Sequence, residues 1–347
     1  MGLCVAAGDE ASSAADLNKA AAEPVLALLL PLASADFARP AEALKLGFIA
    51  AFRHGREKLS VSVIATDATS ESILAGYDQA VKLGARLVIG PMTRSGVSAL
   101  AAGGTVSVPT IALNLPEDKT ALPPRFYTFG LALEAEAQLV AEQAFAEHYK
   151  SAILVSAKSP LALRSRDAFA DTWKRLGGSI KAAYEFGPQT DLPALREALA
   201  TAAVDMIFLA ADTVQARAVR PYLNNHIDVF ATSQVNSARA DAIANVDLNG
   251  IRFVEMPWLM QPDHPAVMVY PRAEGVVADQ ERFYALGIDA YRVATALIDG
   301  PRRISLDGVT GRLTLNGSQV TREPAQAVFR NGVGISLDHD EPDEGKR

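Results

Sequence analysis

From residue 24 onward, short apolar runs of strand length alternate with amphipathic stretches of helix length. The apolar run "VLALLL" (25–30) precedes "ADFARPAEALKLGFIAAFRHG", in which Leu44 and Phe48 lie on one face of a predicted helix. The runs "LSVSVIATD", "RLVIG" and "PTIALN" continue the alternation. Strands that alternate with helices form βαβ units, so the pattern predicts a parallel sheet covered on both faces.

The alternation begins again after "RFYTFGLALEAEA", with a predicted helix over 133–149 and the strand "SAILVS" (151–156). "DMIFLAA", "IDVFATS" and "IRFVEM" are further predicted strands of this second series. No Gly/Ser-rich linker separates the two series, so we expect two αβ lobes that lie side by side. A long helix predicted in "DQERFYALGIDAYRVATALIDG" and a late β pair, "GVTGRLTLN" with "AQAVFRNG", complete the chain.

The predicted fold class is therefore α/β, with two doubly wound parallel-sheet lobes joined by three crossovers. The crossings are expected near 129–133, 255–259 and 301–310. The predicted boundaries are a tether at 1–23, a first lobe at 24–131 plus 258–302, a second lobe at 132–257 plus 303–335, and an acidic tail at 336–347. The first of these segments is rich in Ala, Ser, Asp and Gly, too poor in apolar surface to order itself.

Composition and charge narrow the possible functions. The 347 residues carry a formal net charge of -7 and show no long basic run, which argues against a nucleic-acid partner. The longest apolar stretch, 25–32, is interrupted by Pro31 and falls far short of the ~20 residues that span a bilayer.

No catalytic motif stands out in the sequence. G-x-S-x-G, Walker, G-x-G-x-x-G and H-E-x-x-H patterns are all absent, the five histidines are scattered, and Cys4 is the single cysteine. We therefore predict no catalytic residue, no metal and no cofactor, and hence a protein that is not an enzyme.

A binding cleft is better supported, because ligands of doubly wound sheets bind at the carboxyl ends of the strands. Hydroxyl groups and free backbone N–H groups at a helix start favour an anion such as a carboxylate. The cleft candidates are Ser34, Thr93, Arg94, Ser95, Asn114, Ser159, Asp212, Thr213 and Ser233. The alternative is that Ser95 and Asp212 or Thr213 are plain helix caps that bind nothing, and for each residue taken singly this is the favoured interpretation, because a helix start needs such a residue in any case.

An amino-acid ligand would also need a carboxylate for its ammonium group and an aromatic wall. Glu255 and Asp212 are the candidates for the carboxylate. No aromatic wall is visible, and Leu115, Leu161 and Leu163 would make the cleft loops apolar. This composition favours a closed or lost pocket.

Several stretches together resemble the penicillin-binding-protein activator (LpoA/LppC) lipoprotein family over about residues 24–335. They are "LALLLPLASADFARPAEALKLGF", "RLVIGPMTRSGVSAL", "VPTIALN", "FYTFGLALEAEA", "IFLAADTVQARAVRPYL", "VFATSQVN", "DLNGIRFVEMPWLM" and "ALGIDAYRVA". The order of the segments resembles the type I periplasmic-binding-protein fold. In that fold Met256, Pro257 and Trp258 would form the second crossing at the lobe junction, with Pro257 ending the strand. The larger family members carry a helical-repeat domain ahead of this region, for which residues 1–24 leave no room.

The resemblance implies a non-catalytic cell-envelope protein that binds and activates a bifunctional (class A) penicillin-binding protein and so regulates peptidoglycan synthesis. It implies a periplasmic location and possible anchoring to the outer membrane through lipidated Cys4; the alternative is that Cys4 is an ordinary free thiol. A second interpretation is a periplasmic solute-binding protein for an amino acid or short peptide, serving an ABC transporter or receptor. A third is an interaction scaffold that has lost both roles.

Overall fold

The computed structural model describes residues 25–103, 106–117, 121–238, 241–298 and 304–337. Cys4, the predicted tether at 1–23 and most of the predicted acidic tail lie outside these ranges. The strands, in chain order, are β1 (Val25–Leu30), β2 (Ser60–Ala65), β3 (Ala85–Ile89), β4 (Thr110–Ala112), β5 (Phe126–Thr128), β6 (Ser151–Ala157), β7 (Ser179–Phe186), β8 (Met206–Ala210), β9 (Asp228–Ala231), β10 (Ile251–Glu255), β11 (Ser305–Asp307), β12 (Arg312–Asn316), β13 (Gln319–Glu323), β14 (Ala325–Arg330) and β15 (Val333–Ser336).

Helices cover the sheets that these strands form. They are α1 (Ala38–His54), α2 (Ser70–Lys82), α3 (Arg94–Ala102), α4 (Leu133–Ala146), α5 (Pro160–Arg175), α6 (Leu192–Ala200), α7 (Thr213–Val219), α8 (Pro257–Met260), α9 (Pro265–Met268) and α10 (Glu281–Ile298). Short 3₁₀ turns occur at Arg220–Tyr222, Ser233–Val235, Val246–Leu248 and Ala278–Gln280.

Two sheets define the two lobes. The first has the order β11-β12-β13-β5-β4-β3-β1-β2, and the second has the order β15-β14-β10-β9-β8-β6-β7. Pairing from β1 through β5 and from β6 through β10 is parallel, and antiparallel strands extend one end of each sheet. The predicted fold class is therefore confirmed.

The long helix α10 belongs to the first lobe, where it crosses α1 at very short range. A β-carbon at Gly47 of α1 would overlap the carbonyl oxygen of Tyr284, and one at Gly287 of α10 would overlap that of Leu44. Glycine at both positions is what allows the two backbones to touch. Phe48 and Tyr291 then pack edge to face in the first-lobe core, with ring centroids 5.4 Å apart.

One part of the domain prediction is wrong. Residues 304–323 were assigned to the second lobe, but β11, β12 and β13 extend the first sheet, where Gln319 pairs with Thr128 of β5. Leu313 and Val320 are buried in the first-lobe core. The β pair predicted from "GVTGRLTLN" and "AQAVFRNG" is thus split between the two sheets.

The third crossing lies at Pro324 and not at 301–310. β13 ends at Glu323 in the first sheet and β14 begins at Ala325 in the second. Proline has no N–H to donate to a ladder, which suits the point at which the chain changes sheets. The predicted start of the tail at 336 also moves, because Ser336 is a buried residue of β15.

Candidate functional site

The carboxyl ends of β3 and β4 form the first-lobe wall of a cleft. Thr93, Arg94, Ser95 and Asn114, four of the predicted cleft residues, line a cavity of about 520 Å³ there, with the side chains of Phe37 and Phe283 among the other walls. These four first-lobe candidates therefore lie together, whereas Ser34 does not line this cavity. Their role in ligand binding stays a prediction.

The hydrogen bonds of these residues are largely internal. Thr93 Oγ1 accepts from the backbone N–H of Gly96 at 3.2 Å, as an N-cap of α3. Asn114 donates from Nδ2 to the carbonyl of Met92 at 3.1 Å. Both side chains thus stabilise the loops that hold them.

The second-lobe candidates do not join this cavity. Ser159 caps α5, and Asp212 forms a capping box with Gln215 at the start of α7. Thr213 is buried and donates to the carbonyl of Gln234, while Ser233 donates its backbone N–H to Glu136. The structural alternative of plain helix caps therefore accounts for Ser159 and Asp212.

The cation of the cleft, Arg94, is bound to a carboxylate of the other lobe. Its Nη1 lies 3.1 Å from Glu134 Oε1 on α4, and Arg164 of α5 lies 2.9 Å from the same oxygen. Burial acts to raise the pKa of Glu134, but the Glu134 backbone N–H, Arg164 and Arg94 outweigh it and leave the pKa lowered. The group that would bind an anionic ligand is thus already paired within the protein.

A second pair, Arg282 with Glu255, joins α10 of the first lobe to β10 of the second. Glu255 is 1% exposed, and both of its oxygens accept from the Arg282 guanidinium. Asn236 Nδ2 donates to the same carboxylate at 2.9 Å, and Arg282 also donates to the Asn236 carbonyl at 2.8 Å. Burial acts to lower the pKa of Arg282, but the charge and hydrogen bonds of Glu255 leave it raised.

A third pair joins Arg322 of β13 to Glu136 of α4 at 3.1 Å, with both side chains almost fully buried. Arg322 also donates to the carbonyls of Gly130 and Thr310, at 3.0 and 3.1 Å. Glu136 accepts a hydrogen bond from the Ser233 N–H through its other oxygen at 3.1 Å.

Three ion pairs thus join the two lobes among the described residues. We call them together the interlobe latch: Arg94–Glu134, Arg282–Glu255 and Arg322–Glu136.

The sequence does not predict the latch pairs, although two of their residues are candidates for other roles: Arg94 for the ligand cleft and Glu255 for binding an ammonium group. The structure gives that carboxylate to Arg282, and Asp212, the other candidate, caps α7. Glu134 and Glu136 do leave a local signal, since both interrupt the apolar run "GLALEAEA" at the start of α4.

Met256, Pro257 and Trp258 follow β10 directly and lie at the second crossing. Trp258 is completely buried in the first-lobe core and donates its Nε1–H to Glu281 at 2.6 Å. The Arg272 guanidinium lies 3.9 Å above its ring and donates to its carbonyl. The large apolar residues that follow β10 therefore pack in the core of the first lobe and connect the end of this second-lobe strand to it.

Within the described ranges, no group of His, Cys, Asp and Glu side chains could hold a metal ion. Across the same residues, no helix is both long and apolar enough to pass through a bilayer.

The profile of the family described as "LppC putative lipoprotein" matches residues 17–199 and 194–332. The chain belongs to the LppC family. Two relatives, both named penicillin-binding protein activator LpoA, come from Photobacterium profundum (25% identical; 88% of this chain and 55% of the relative) and Haemophilus ducreyi (28% identical; 89% and 54%). This LppC chain therefore spans about half the length of the curated relatives that it matches.

Solved structures agree with the fold. A protein assigned to a branched-chain amino acid ABC transporter of Chromobacterium violaceum has a TM-score of 0.75 at 32% identity, covering 88% of this chain and all of the other. The LpoA C-domain from Haemophilus influenzae, a regulator of PBP1A, has a TM-score of 0.75 at 21% identity, covering 90% and 99%. The second likeness is one of fold alone.

Proposed function

We propose that this LppC-family chain is a non-catalytic envelope protein that binds and activates a bifunctional, class A penicillin-binding protein. The observation that carries the proposal is the family match across both lobes, to relatives named as activators. The protein would act by contacting the penicillin-binding protein and so raising its peptidoglycan synthase activity.

The interlobe latch favours this role over solute carriage. A carrier needs free polar groups in its cleft and lobes that close around the ligand. Here Arg94 is bound to Glu134, and two further ion pairs, both largely buried, join the lobes. A latched pair of lobes suits a protein that presents a fixed outer surface to a partner.

The direct test mixes the purified chain with the class A synthase of its own organism and measures glycan polymerisation and peptide crosslinking. We expect the chain to bind the synthase and to raise at least one of these rates. A folded chain that neither binds nor stimulates the synthase contradicts the proposal.

Surface variants of the second lobe can locate the contact. Charged residues are less suitable for this purpose: Arg217 donates to the Ala244 carbonyl, and Arg239 lies outside the described residues. Ile243 and Val214 are better probes, since their side chains are 91% and 67% exposed and their replacement leaves the core intact. Ile243→Asp and Val214→Asp should keep the unfolding midpoint of the parent chain.

A periplasmic solute-binding protein for an amino acid or short peptide is the second candidate. Two observations favour it: the 520 Å³ cavity in the cleft and the 32% identity to the Chromobacterium protein. We expect no common free amino acid to bind more tightly than about micromolar, or ~8 kcal/mol. Calorimetry with amino acids and short peptides tests this, and a tight ligand would favour the carrier.

Anchoring is a separate proposal. We propose that the protein lies in the periplasm, tethered to the outer membrane through lipidated Cys4 and residues 5–23. Mass spectrometry of protein extracted from membranes should find the cysteine acylated. An unmodified Cys4 in that material would refute the anchor and leave the activator proposal intact.

A further inference from the structure

The first lobe carries a second cavity, at the opposite end of its sheet from the cleft. It has a volume of about 610 Å³, and its walls include His54, Glu57, Lys58, Arg86, Tyr270 and Arg292. We call it the base pocket. Lys58 lies two residues before β2 and Arg86 is the second residue of β3, so the pocket opens at the amino ends of the strands.

A β-bulge places Arg86 in this pocket. Val25 of β1 pairs with Ala85, and the next residue, Leu26, pairs with Leu87, so Arg86 is an extra residue in β3. Ala85 packs into the core on one face of the sheet and Leu87 into the core on the other, beneath α1 and α10. Bulges commonly re-aim a side chain beside a functional site.

Lys58 and Arg86 both line the base pocket and are exposed. Among the described residues, neither Lys58 nor Arg86 makes a side-chain hydrogen bond or an ion pair. Of the other charged side chains that line the pocket, Arg292 lies 3.1 Å from Asp289, and the acidic Glu57 accepts a hydrogen bond from the Tyr291 hydroxyl at 2.9 Å. Among the described lining residues, Lys58 and Arg86 outnumber the acidic Glu57, so the pocket has a positive balance of charge in a chain whose net charge is -7.

We infer that the base pocket binds a phosphate-bearing ligand through Lys58 and Arg86. The two residues flank β1 from neighbouring strands, roughly 10 Å apart at the backbone, and their long side chains can converge on one group between them. A phosphate presents oxygens in several directions and can bridge an ammonium and a guanidinium approaching from opposite sides. His54 and Tyr270, whose ring centroids lie 5.7 Å apart, supply a wall for the rest of the ligand.

The position of the pocket fits a phosphate held on a lipid headgroup as well as one on a soluble ester. Residues 1–24 join the fold at Val25, whose register partners are Ser60 and Ala85, immediately beside Lys58 and Arg86. The base pocket therefore lies at the end of the lobe at which residues 1–24 join it. The inference stands on the pocket itself and does not depend on the activator proposal.

The test compares Lys58→Gln/Arg86→Gln with a charge-matched control, Lys174→Gln/Arg196→Gln, whose residues are exposed on α5 and α6 of the second lobe. Binding to phosphatidylglycerol vesicles, with phosphatidylcholine vesicles as reference, and binding to glycerol 1-phosphate are measured for the full chain. We expect the parent chain and the control to bind alike, and the base-pocket variant to bind at least about tenfold more weakly.

Binding to vesicles alone would identify a lipid headgroup as the source of the phosphate, and saturable binding of glycerol 1-phosphate would identify a soluble ester. A parent chain that binds neither probe, or an equal loss in the control, overturns the inference. A second measurement needs no variant: the bound probe should protect Lys58 from acetylation more than Lys174. Equal acetylation of the two lysines in the presence of a bound probe also overturns it.

Discussion

The interlobe latch and the base pocket both contain basic and acidic side chains, but they differ in whether the basic side chains are paired with carboxylates. In the latch, each arginine faces a carboxylate of the other lobe, and Glu255 and Glu136 are buried. In the base pocket, Lys58 and Arg86 are exposed and lack a partner among the described residues. Paired buried charge fixes the arrangement of the lobes, whereas unpaired charge at a concave surface is available to a ligand.

The largest effect is expected at the apolar centre of the junction. Trp258→Ala should lower the free energy of unfolding by about 3–5 kcal/mol, because it empties a fully buried site. It also removes the hydrogen bond to Glu281 and the contact with Arg272. Urea denaturation followed by circular dichroism measures the change.

Trp258→Phe serves as its control and should lose much less stability, since it keeps a ring against Tyr284. Similar losses for Ala and Phe would mean that the hydrogen bond and not the packing dominates this site. Reduced synthase binding by Trp258→Ala alone would not locate the docking surface, because the variant is expected to be destabilised.

The next effect concerns the buried pair of the latch. Glu255→Gln should cost about 3 kcal/mol of unfolding free energy, because it removes the counter-charge in direct contact with the largely buried Arg282 guanidinium. Glu42→Gln, which breaks the exposed Glu42–Lys45 pair of α1, is the matched control and should cost under about 1 kcal/mol. Equal costs for the two variants would show that the buried latch is no more important to stability than a surface pair.

A smaller and pH-dependent effect is expected at Glu134. Its pKa is lowered in the folded protein, so its contribution is present above its ordinary pKa of 4.5 and is lost as the pH falls through the folded value. Glu134→Gln should therefore cost about 1 kcal/mol near neutral pH and close to nothing in acid. Unfolding curves of both proteins across this pH range check the sign, and a difference that grows in acid would contradict it.

The parts of the molecule that were predictable are the local ones. Apolar runs and helix caps identified β1, β6 and β8, and the hydroxyl groups at the starts of α3 and α5. These features depend on neighbours within a few residues. The position of the first-lobe cleft could also be predicted, because the carboxyl ends of adjacent parallel strands meet at one edge of a sheet.

The features that were not predictable depend on distant residues. Glu136 and Arg322 are 186 positions apart, and the sequence around either residue does not identify the other as its partner. The continuous β pattern on both sides of Pro324 hides the change of sheet there, so the third crossing was misplaced. The bulge that directs Arg86 into the base pocket arises from its register against Val25, 61 positions earlier in the numbering.

The smallest effect is expected in the base pocket and completes the contrast with the latch. Lys58→Gln/Arg86→Gln should change the free energy of unfolding by less than about 0.5 kcal/mol, because exposed side chains without partners contribute little to folding. Removing two neighbouring positive charges could even raise the stability slightly by relieving their repulsion. Urea denaturation of this variant and of Glu255→Gln under the same conditions compares their losses of unfolding free energy. If the base-pocket variant lost as much stability as the latch variant, Lys58 and Arg86 would have a structural role. Unpaired charge at a concave surface would then not be a sign of a ligand site in this protein.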